Sequence, residues 1–366
     1  MDWTLEAIEH LLANPIRTTL AVNPDQAIEA FARAERLLGP RWIPSATANQ
    51  RGIAPATYVL ATGMALRAIE DIPGSSRLIQ ELKRDKPGTR AVLNSVHLLR
   101  SRYPPAEVEW EPPLGKRKAD FRIRMPAREW VTAEVCSPEQ SLHLKALYRH
   151  AKALSDKLRP EIREGAVDIY LRRCPSIYEI ESIIGAVRAA LAATPPTETT
   201  LNDNLGVVLT DDQRRHIGHR IPAQMCETHM PGITTFAATG SREEICRIGV
   251  FIAFEDRRVL RFLNDKAKQL NPAEAGLLML QTSDVAGGVP MWSASAERYF
   301  KAGAHPLVSG VCLFEPMSIA VAGRYRPAIQ AALVANENAN FKLPDWIATA
   351  ISAVQDEFNQ ADFLNH

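Results

Sequence analysis

Two neighbouring segments decide the fold of the central part of this chain: Glu107–Arg124, EVEWEPPLGKRKADFRIR, and Trp130–Pro138, WVTAEVCSP. Apolar and polar residues alternate in both, for example over Val108–Trp110 and Phe121–Ile123. A period of two residues predicts β-strands, and the Pro- and Gly-containing sequences between these runs predict turns. We therefore expect three short strands in succession, antiparallel where the turns are tight.

Two carboxylates, Asp120 and Glu134, lie on the second and third of these predicted strands. Their separation of 14 positions suits a hairpin that brings the two side chains together. Neighbouring carboxylates bind a hard cation such as Mg²⁺ or Mn²⁺, and the backbone carbonyl of Val135 would add a third oxygen ligand. A metal ion held in this way activates a water molecule and polarises a phosphodiester. The pattern therefore predicts phosphodiester hydrolysis.

The sequences around these strands are mainly helical. Apolar residues three and four positions apart predict several helices in the first hundred residues, the last of them over 89–102. After the strands, the pattern predicts a helix over 139–158, a strand over 167–171 and a helix over 177–193. Residues 86–172 thus have the predicted order α-β-β-β-α-β.

A second α/β segment follows the Pro-rich linker at 194–197. Its predicted strands cover 206–209, 249–254, 277–281, 308–314 and 319–321, and its predicted helices cover 256–270 and 345–358. We expect a helical N-terminal region (1–85), a core (86–193) and a C-terminal α/β region (200–366). The C-terminal region either completes the core, forms a second domain, or contributes an edge strand to a homodimer.

Residues 86–172 resemble the PD-(D/E)xK nuclease-like superfamily, which has the restriction-endonuclease-like fold. The resemblance implies a metal-dependent nuclease that hydrolyses nucleic acid, expected to be DNA, with Mg²⁺ or Mn²⁺ as cofactor. It implies that Asp120 and Glu134 are catalytic metal ligands. The family has a lysine two residues after the glutamate, where this chain has Cys136, and often a proline where it has Ala119.

The missing lysine bears on catalysis because its ammonium group stabilises developing negative charge and orients the attacking water. A neutral thiol does neither. Members of the family can supply the cation from another element, and we favour Lys145 and Lys268 equally as catalytic replacements; Lys118 and Lys266 are the other candidates. An apolar strand follows the helix that contains Lys266, Lys268 and Gln269. This pair is similar to the helix and strand that usually close such a core.

Two other interpretations stay open. In the first, the chain is a catalytically degenerate nuclease-fold protein that binds nucleic acid, or a protein partner in a bacterial defence or DNA-processing assembly. This interpretation predicts an apolar environment around Cys136, without a nearby cation. In the second, the hairpin match is accidental, and Asp120 and Glu134 point apart or into bulk water.

The overall charge does not indicate a polyanionic partner. The 366 residues include 43 Lys and Arg against 42 Asp and Glu, a net charge of +1, in an ordinary globular composition. Basic residues are locally frequent, with eleven against six acidic residues over 84–129. Lys116, Arg117, Lys118 and Arg122 are the predicted contacts to nucleic-acid phosphates. Three nearby glutamates, Glu81, Glu109 and Glu111, are expected to be solvated.

Several other classes of protein are disfavoured. No apolar run is long enough to cross a membrane, and Asp2 and Glu6 stand where a signal peptide has basic residues, so we expect a cytosolic protein with free thiols. Phosphate-loop, Gly-x-Ser-x-Gly and dinucleotide-binding motifs are absent from the sequence. The spacing of His and Cys residues does not match a standard zinc finger. Those residues are His216, His219, Cys226, His229 and Cys246.

Overall fold

The chain is a mixed α/β protein with eleven α-helices in the described residues of the computed structural model. The model describes residues 3–11, 19–49, 55–86, 88–114, 117–139, 142–161, 166–193, 197–201, 205–211, 232–239, 246–253, 258–283, 288–303, 305–321 and 324–363. Two compact units are distinguished. The first comprises residues 1–138, 258–283 and 288–366, and the second comprises residues 139–257 and 284–287. The limits of these two units do not coincide with the domain boundaries predicted near residues 85 and 193.

The helices have the following bounds: α1 (Leu5–Glu9), α2 (Pro24–Leu38), α3 (Trp42–Asn49), α4 (Pro55–Arg67), α5 (Ser75–Lys83), α6 (Thr89–Arg100), α7 (Leu142–Leu158), α8 (Ile177–Ala192), α9 (Arg258–Ala267), α10 (Gly288–Lys301) and α11 (Asp345–Phe363). The start of α2 shows how the sequence sets a helix end. The side chain of Asn23 accepts hydrogen bonds from the first N–H groups of the helix, and Pro24 occupies the first turn, where no donor is lost. None of the described helices has the length and apolar character needed to cross a membrane.

The strands have these bounds: β1 (Thr19–Leu20), β2 (Glu107–Trp110), β3 (Pro113–Leu114), β4 (Arg117–Lys118), β5 (Phe121–Arg124), β6 (Val131–Cys136), β7 (Ala166–Leu171), β8 (Thr197–Thr200), β9 (Gly206–Asp211), β10 (Gly232–Thr239), β11 (Cys246–Ala253), β12 (Ala275–Gln281), β13 (Gly310–Val321) and β14 (Arg324–Ala335). The two runs predicted over 308–314 and 319–321 form the single strand β13. Pro316 lies beyond the part of β13 that pairs with β12, so its missing N–H leaves that ladder intact.

The first unit is built on a seven-stranded sheet in the order β1-β14-β13-β12-β6-β5-β2. Its central strands β6 and β12 are parallel neighbours and are buried along their whole length. Helices α6 and α9 both contact these two strands. Val131, Ala133 and Val135 share a hydrophobic core with α6 and the other N-terminal helices. Because side chains alternate along a strand, Glu134 and Cys136 lie on the opposite face.

The strand beside β6 is not the one that the predicted order α-β-β-β-α-β assigns. The last helix and strand of that pattern are α7 and β7, and both belong to the second unit. In the first unit α9 and β12 follow the hairpin, and β12 pairs in parallel with β6. A local apolar pattern indicates that a strand is buried but not which strand it pairs with.

The second unit has its own five-stranded sheet, in the order β10-β11-β7-β9-β8. Strands β7 and β11 are parallel, and the other pairs are antiparallel. Helix α7 contacts β10 and β11, and α8 contacts β8 and β9. A capping box between Ser176 and Glu179 begins α8. Among the cysteines with described side chains, Cys136, Cys174 and Cys312 are free thiols.

Candidate active site

The hairpin of β5 and β6 makes Asp120 and Glu134 neighbours. The register pairs Phe121 with Ala133, and one further step places Asp120 opposite Glu134. Opposed residues of an antiparallel pair project from the same face of the sheet. At this point the backbone leaves the ladder, and Oδ2 of Asp120 accepts a hydrogen bond from the N–H of Val135 at 2.8 Å. This bond fixes the carboxylate of Asp120 beside β6.

Lys266 on α9 supplies a cation to this pair. Its Nζ lies 2.5 Å from Oε1 of Glu134. The side chain of Glu134 is only 3% exposed, whereas that of Lys266 is 26% exposed. A partly exposed lysine thus pairs with a buried carboxylate. The ammonium group of Lys266 also lies close enough to Cys136 for its charge to act on the pKa of the thiol.

Of the two lysines favoured from sequence, Lys268 pairs with another carboxylate, and Lys145 belongs to the second unit. Lys268 lies one residue beyond the end of α9; its side chain is 63% exposed, and its Nζ lies 3.2 Å from Oδ1 of Asp265 on α9. Lys145 lies on α7 of the second unit. Lys266, one of the other two candidates, is the lysine whose ammonium pairs with Glu134, whereas Lys268 pairs with Asp265.

Burial raises the pKa values of both carboxylates. Burial, followed by the charge of Asp120, raises the pKa of Glu134 to about 7, although Lys266 opposes the rise. Burial also raises the pKa of Asp120, and this outweighs the hydrogen bond from Val135 and the charge of Lys266. The pKa of the Cys136 thiol is raised by burial to about 11, so this thiol is neutral at pH 7.

Two features of the carboxylates suit a divalent cation: their negative charges and a buried oxygen without a hydrogen-bond partner. With both carboxylates ionised, two negative charges face the single ammonium of Lys266. Oε2 of Glu134 is buried and has no hydrogen-bond partner among the described residues. Such oxygens are the ligands that Mg²⁺ and Mn²⁺ prefer. No cluster of three or more His, Cys, Asp or Glu side chains suited to a metal occurs in the described ranges. The carbonyl of Val135 thus stays the predicted third ligand.

A cleft of about 220 Å³ opens beside Asp120. Its walls include two glutamates that the sequence predicts to be solvated: Glu81 from α5 and Glu111 directly after β2. Arg77 and Lys86 also line the cleft. Sequence spacing does not indicate this group, because the residues come from three separate elements.

The predicted phosphate contacts are only partly described. Arg122 donates two hydrogen bonds to Oε2 of Glu109, at 2.9 and 2.6 Å, and stacks over the ring of Trp130. Its charge is thus already paired within the sheet. Lys118 is exposed, with its Nζ 3.7 Å from Oε2 of Glu111. Lys116 lies outside the described residues, as do the side chain of Arg117 and the zinc candidates other than Cys246, whose side chain is also not described.

Along the chain, α6, β2 and the β5-β6 hairpin follow one another, and β12, which follows α9, pairs in parallel with β6. Lys266 of α9 contributes the cation. No family model, no curated protein and no solved structure matches the chain.

Proposed function

We propose that this protein is a metal-dependent phosphodiester hydrolase of the nuclease type that acts on nucleic acid. The ion pair between Lys266 and Glu134, beside Asp120, carries the proposal. It provides an ammonium group next to the position where Cys136 stands in place of the family's lysine. The succession of α6, the β2-β5-β6 strands, α9 and β12 supports a restriction-endonuclease-like core.

Asp120, Glu134 and the carbonyl of Val135 would hold the metal. Mg²⁺ or Mn²⁺ at these oxygens would polarise the phosphodiester and lower the pKa of the attacking water. The N–H of Val135 orients Asp120, and the buried Oε2 of Glu134 is available as a ligand. The side chain of Lys266 is partly exposed, and its ammonium group would stabilise negative charge that develops on the phosphoryl oxygens.

The same ion pair argues against the binding-only alternative. That interpretation expects an apolar environment around Cys136 with no cation nearby. The charge of Lys266 acts on the thiol of Cys136 as well as on both carboxylates. Burying two carboxylates with one ammonium group, and with one carboxylate oxygen lacking a hydrogen-bond partner, lowers the stability of the fold. Folding alone therefore does not explain the arrangement.

The test is cleavage of labelled single- and double-stranded DNA and RNA by the full chain, with Mg²⁺ or Mn²⁺ and with EDTA as control. Asp120→Asn, Glu134→Gln and Lys266→Met should each lower the rate at least about a hundredfold, because each removes a metal ligand or the charge-stabilising ammonium. Lys268→Met is the matched control and should cleave like the wild type. Folded wild-type protein that cleaves none of these substrates would contradict the proposal.

A further inference from the structure

Arg77 is held in the cleft beside Asp120 by two carboxylates. Its Nη1 donates a hydrogen bond to Oε2 of Glu111 at 2.5 Å, and its Nη2 contacts Oε1 of the same carboxylate. Its Nε lies 3.4 Å from Oε1 of Glu81. The fork of the guanidinium group is thus engaged by both oxygens of Glu111.

A phosphate group can make the same two contacts as this carboxylate. The planar fork of arginine matches the oxygen spacing of carboxylates and phosphates alike. The side chain of Arg77 is 60% exposed, so a ligand can reach it from solvent. Exposed ion pairs are weak, so a phosphate group that also contacts a second cation can displace Glu111.

The backbone places Glu111 next to the candidate active site. Its N–H donates to the carbonyl oxygen of Asp120 at 3.0 Å, so the two residues face each other across neighbouring strands. Glu111 has φ +43°, a left-handed conformation that is uncommon and unfavourable for a residue other than glycine. Strands in a sheet are about 5 Å apart. A phosphate that replaces Glu111 on Arg77 would therefore lie beside the carboxylate of Asp120.

Lys86 provides a second cation in the same cleft. Its Nζ lies 2.8 Å from Oε1 of Glu81, the carboxylate that Arg77 also contacts. Both basic side chains line a space of about 220 Å³. This volume is smaller than that of a typical pocket for a drug-sized ligand, and it suits one phosphate with its sugar better than a duplex.

We propose that Arg77 and Lys86 bind one phosphate group of a nucleic-acid strand, and that Glu111 occupies the fork of Arg77 until that phosphate replaces it. The inference rests on the proposed function for the identity of the ligand. Glu111 acts in it as an internal competitor of the substrate. Removing its charge therefore strengthens binding, whereas removing Arg77 weakens it.

The opposite signs of these two effects provide the test. Fluorescence anisotropy with a labelled single-stranded DNA oligonucleotide in EDTA measures binding without metal or cleavage. Arg77→Ala should weaken binding about tenfold, and Arg77→Lys should weaken it less, because the charge remains but the fork is lost. Glu111→Gln should tighten binding at least about threefold. The double variant Arg77→Ala/Glu111→Gln should bind like Arg77→Ala alone, because the competitor acts through Arg77.

Arg41→Ala removes an exposed arginine outside the cleft and serves as the matched control, with binding expected within about twofold of the wild type. Thermal unfolding shows whether each variant is folded. A purely structural Arg77–Glu111 pair would give no tighter binding in Glu111→Gln, and that result overturns the inference. It is also overturned if Arg77→Ala binds like the wild type, or if the folded wild type does not bind the oligonucleotide.

The cleavage assay separates this inference from the proposed function. Metal-dependent cleavage with unchanged affinities in the variants would overturn the phosphate site and leave the hydrolase standing. The expected pattern of affinities without any cleavage would support the phosphate site and contradict the hydrolase.

Discussion

Replacing Glu134 with glutamine should stabilise the protein at alkaline pH and change its stability by less than about 1 kcal/mol near pH 5. The pKa of Glu134 is about 7 in the folded chain, against an ordinary value of 4.5. Between these two values the folded state holds a proton that the unfolded state has lost. The free energy of unfolding therefore falls as the pH rises through this window. A difference of about 2.5 pKa units corresponds to about 3 kcal/mol, at 1.36 kcal/mol per unit.

Glutamine has the shape of the protonated side chain and cannot ionise, so Glu134→Gln avoids this loss. At pH 8.5 its free energy of unfolding should exceed that of the wild type by about 2–3 kcal/mol, or on the order of 5–10 °C in Tm for a unit of this size. Urea unfolding and differential scanning fluorimetry at pH 5 and pH 8.5 measure the effect. Glu297→Gln, at an exposed position on α10, is the matched control and should change neither value. Equal or lower stability of Glu134→Gln at pH 8.5 would refute the reasoning.

Three further predictions concern metal binding and packing. At pH 8, Mg²⁺ in the millimolar range should raise the Tm of the wild type but not that of Asp120→Asn, as scanning fluorimetry in the absence of substrate would show; equal shifts would argue against this metal site. Gly63→Ala should cost at least about 2 kcal/mol in urea unfolding, because a carbonyl oxygen of α2 would lie 2.0 Å from the new Cβ, whereas Gly185→Ala on α8 meets nothing within 4 Å and should not destabilise the protein. Arg100→Ala should lower the free energy of unfolding by about 3–5 kcal/mol in the same assay, because this buried side chain donates to both carboxylate oxygens of Asp71 and to three backbone carbonyls. Asp71→Asn should lower it far less. Equal losses in the two variants would contradict this explanation.

The sequence pattern could predict the elements of the hairpin because each of them follows a local rule. In β5 the apolar residues Phe121 and Ile123 alternate with arginines, and the observed burial alternates in the same way. The neighbour of β6 could not be predicted in this way. Strands β7 and β12 are both apolar and both follow a helix, and the choice between them depends on contacts between residues far apart in the chain.

The position of Lys266 has a signal in the helical periodicity of the sequence. Val259, Leu263 and Leu270 form the buried stripe of α9 and its continuation. Lys266 lies three residues after Leu263 and four before Leu270, which places it on that stripe. Lys268 lies off the stripe. A lysine on the apolar face of a helix that covers a sheet is thus the stronger candidate for a buried carboxylate partner.

The sequence separation between Lys266 and Glu134, 132 residues, also bears on the order in which the protein gains its parts during synthesis. A ribosome that has translated the chain only as far as residue 257 has made both carboxylates and none of α9. Contacts between distant residues form late because a long loop must first be closed. The nascent chain therefore has the carboxylate pair before its ammonium partner. A truncated or prematurely released chain would thus lack the cation on which the proposed hydrolysis depends.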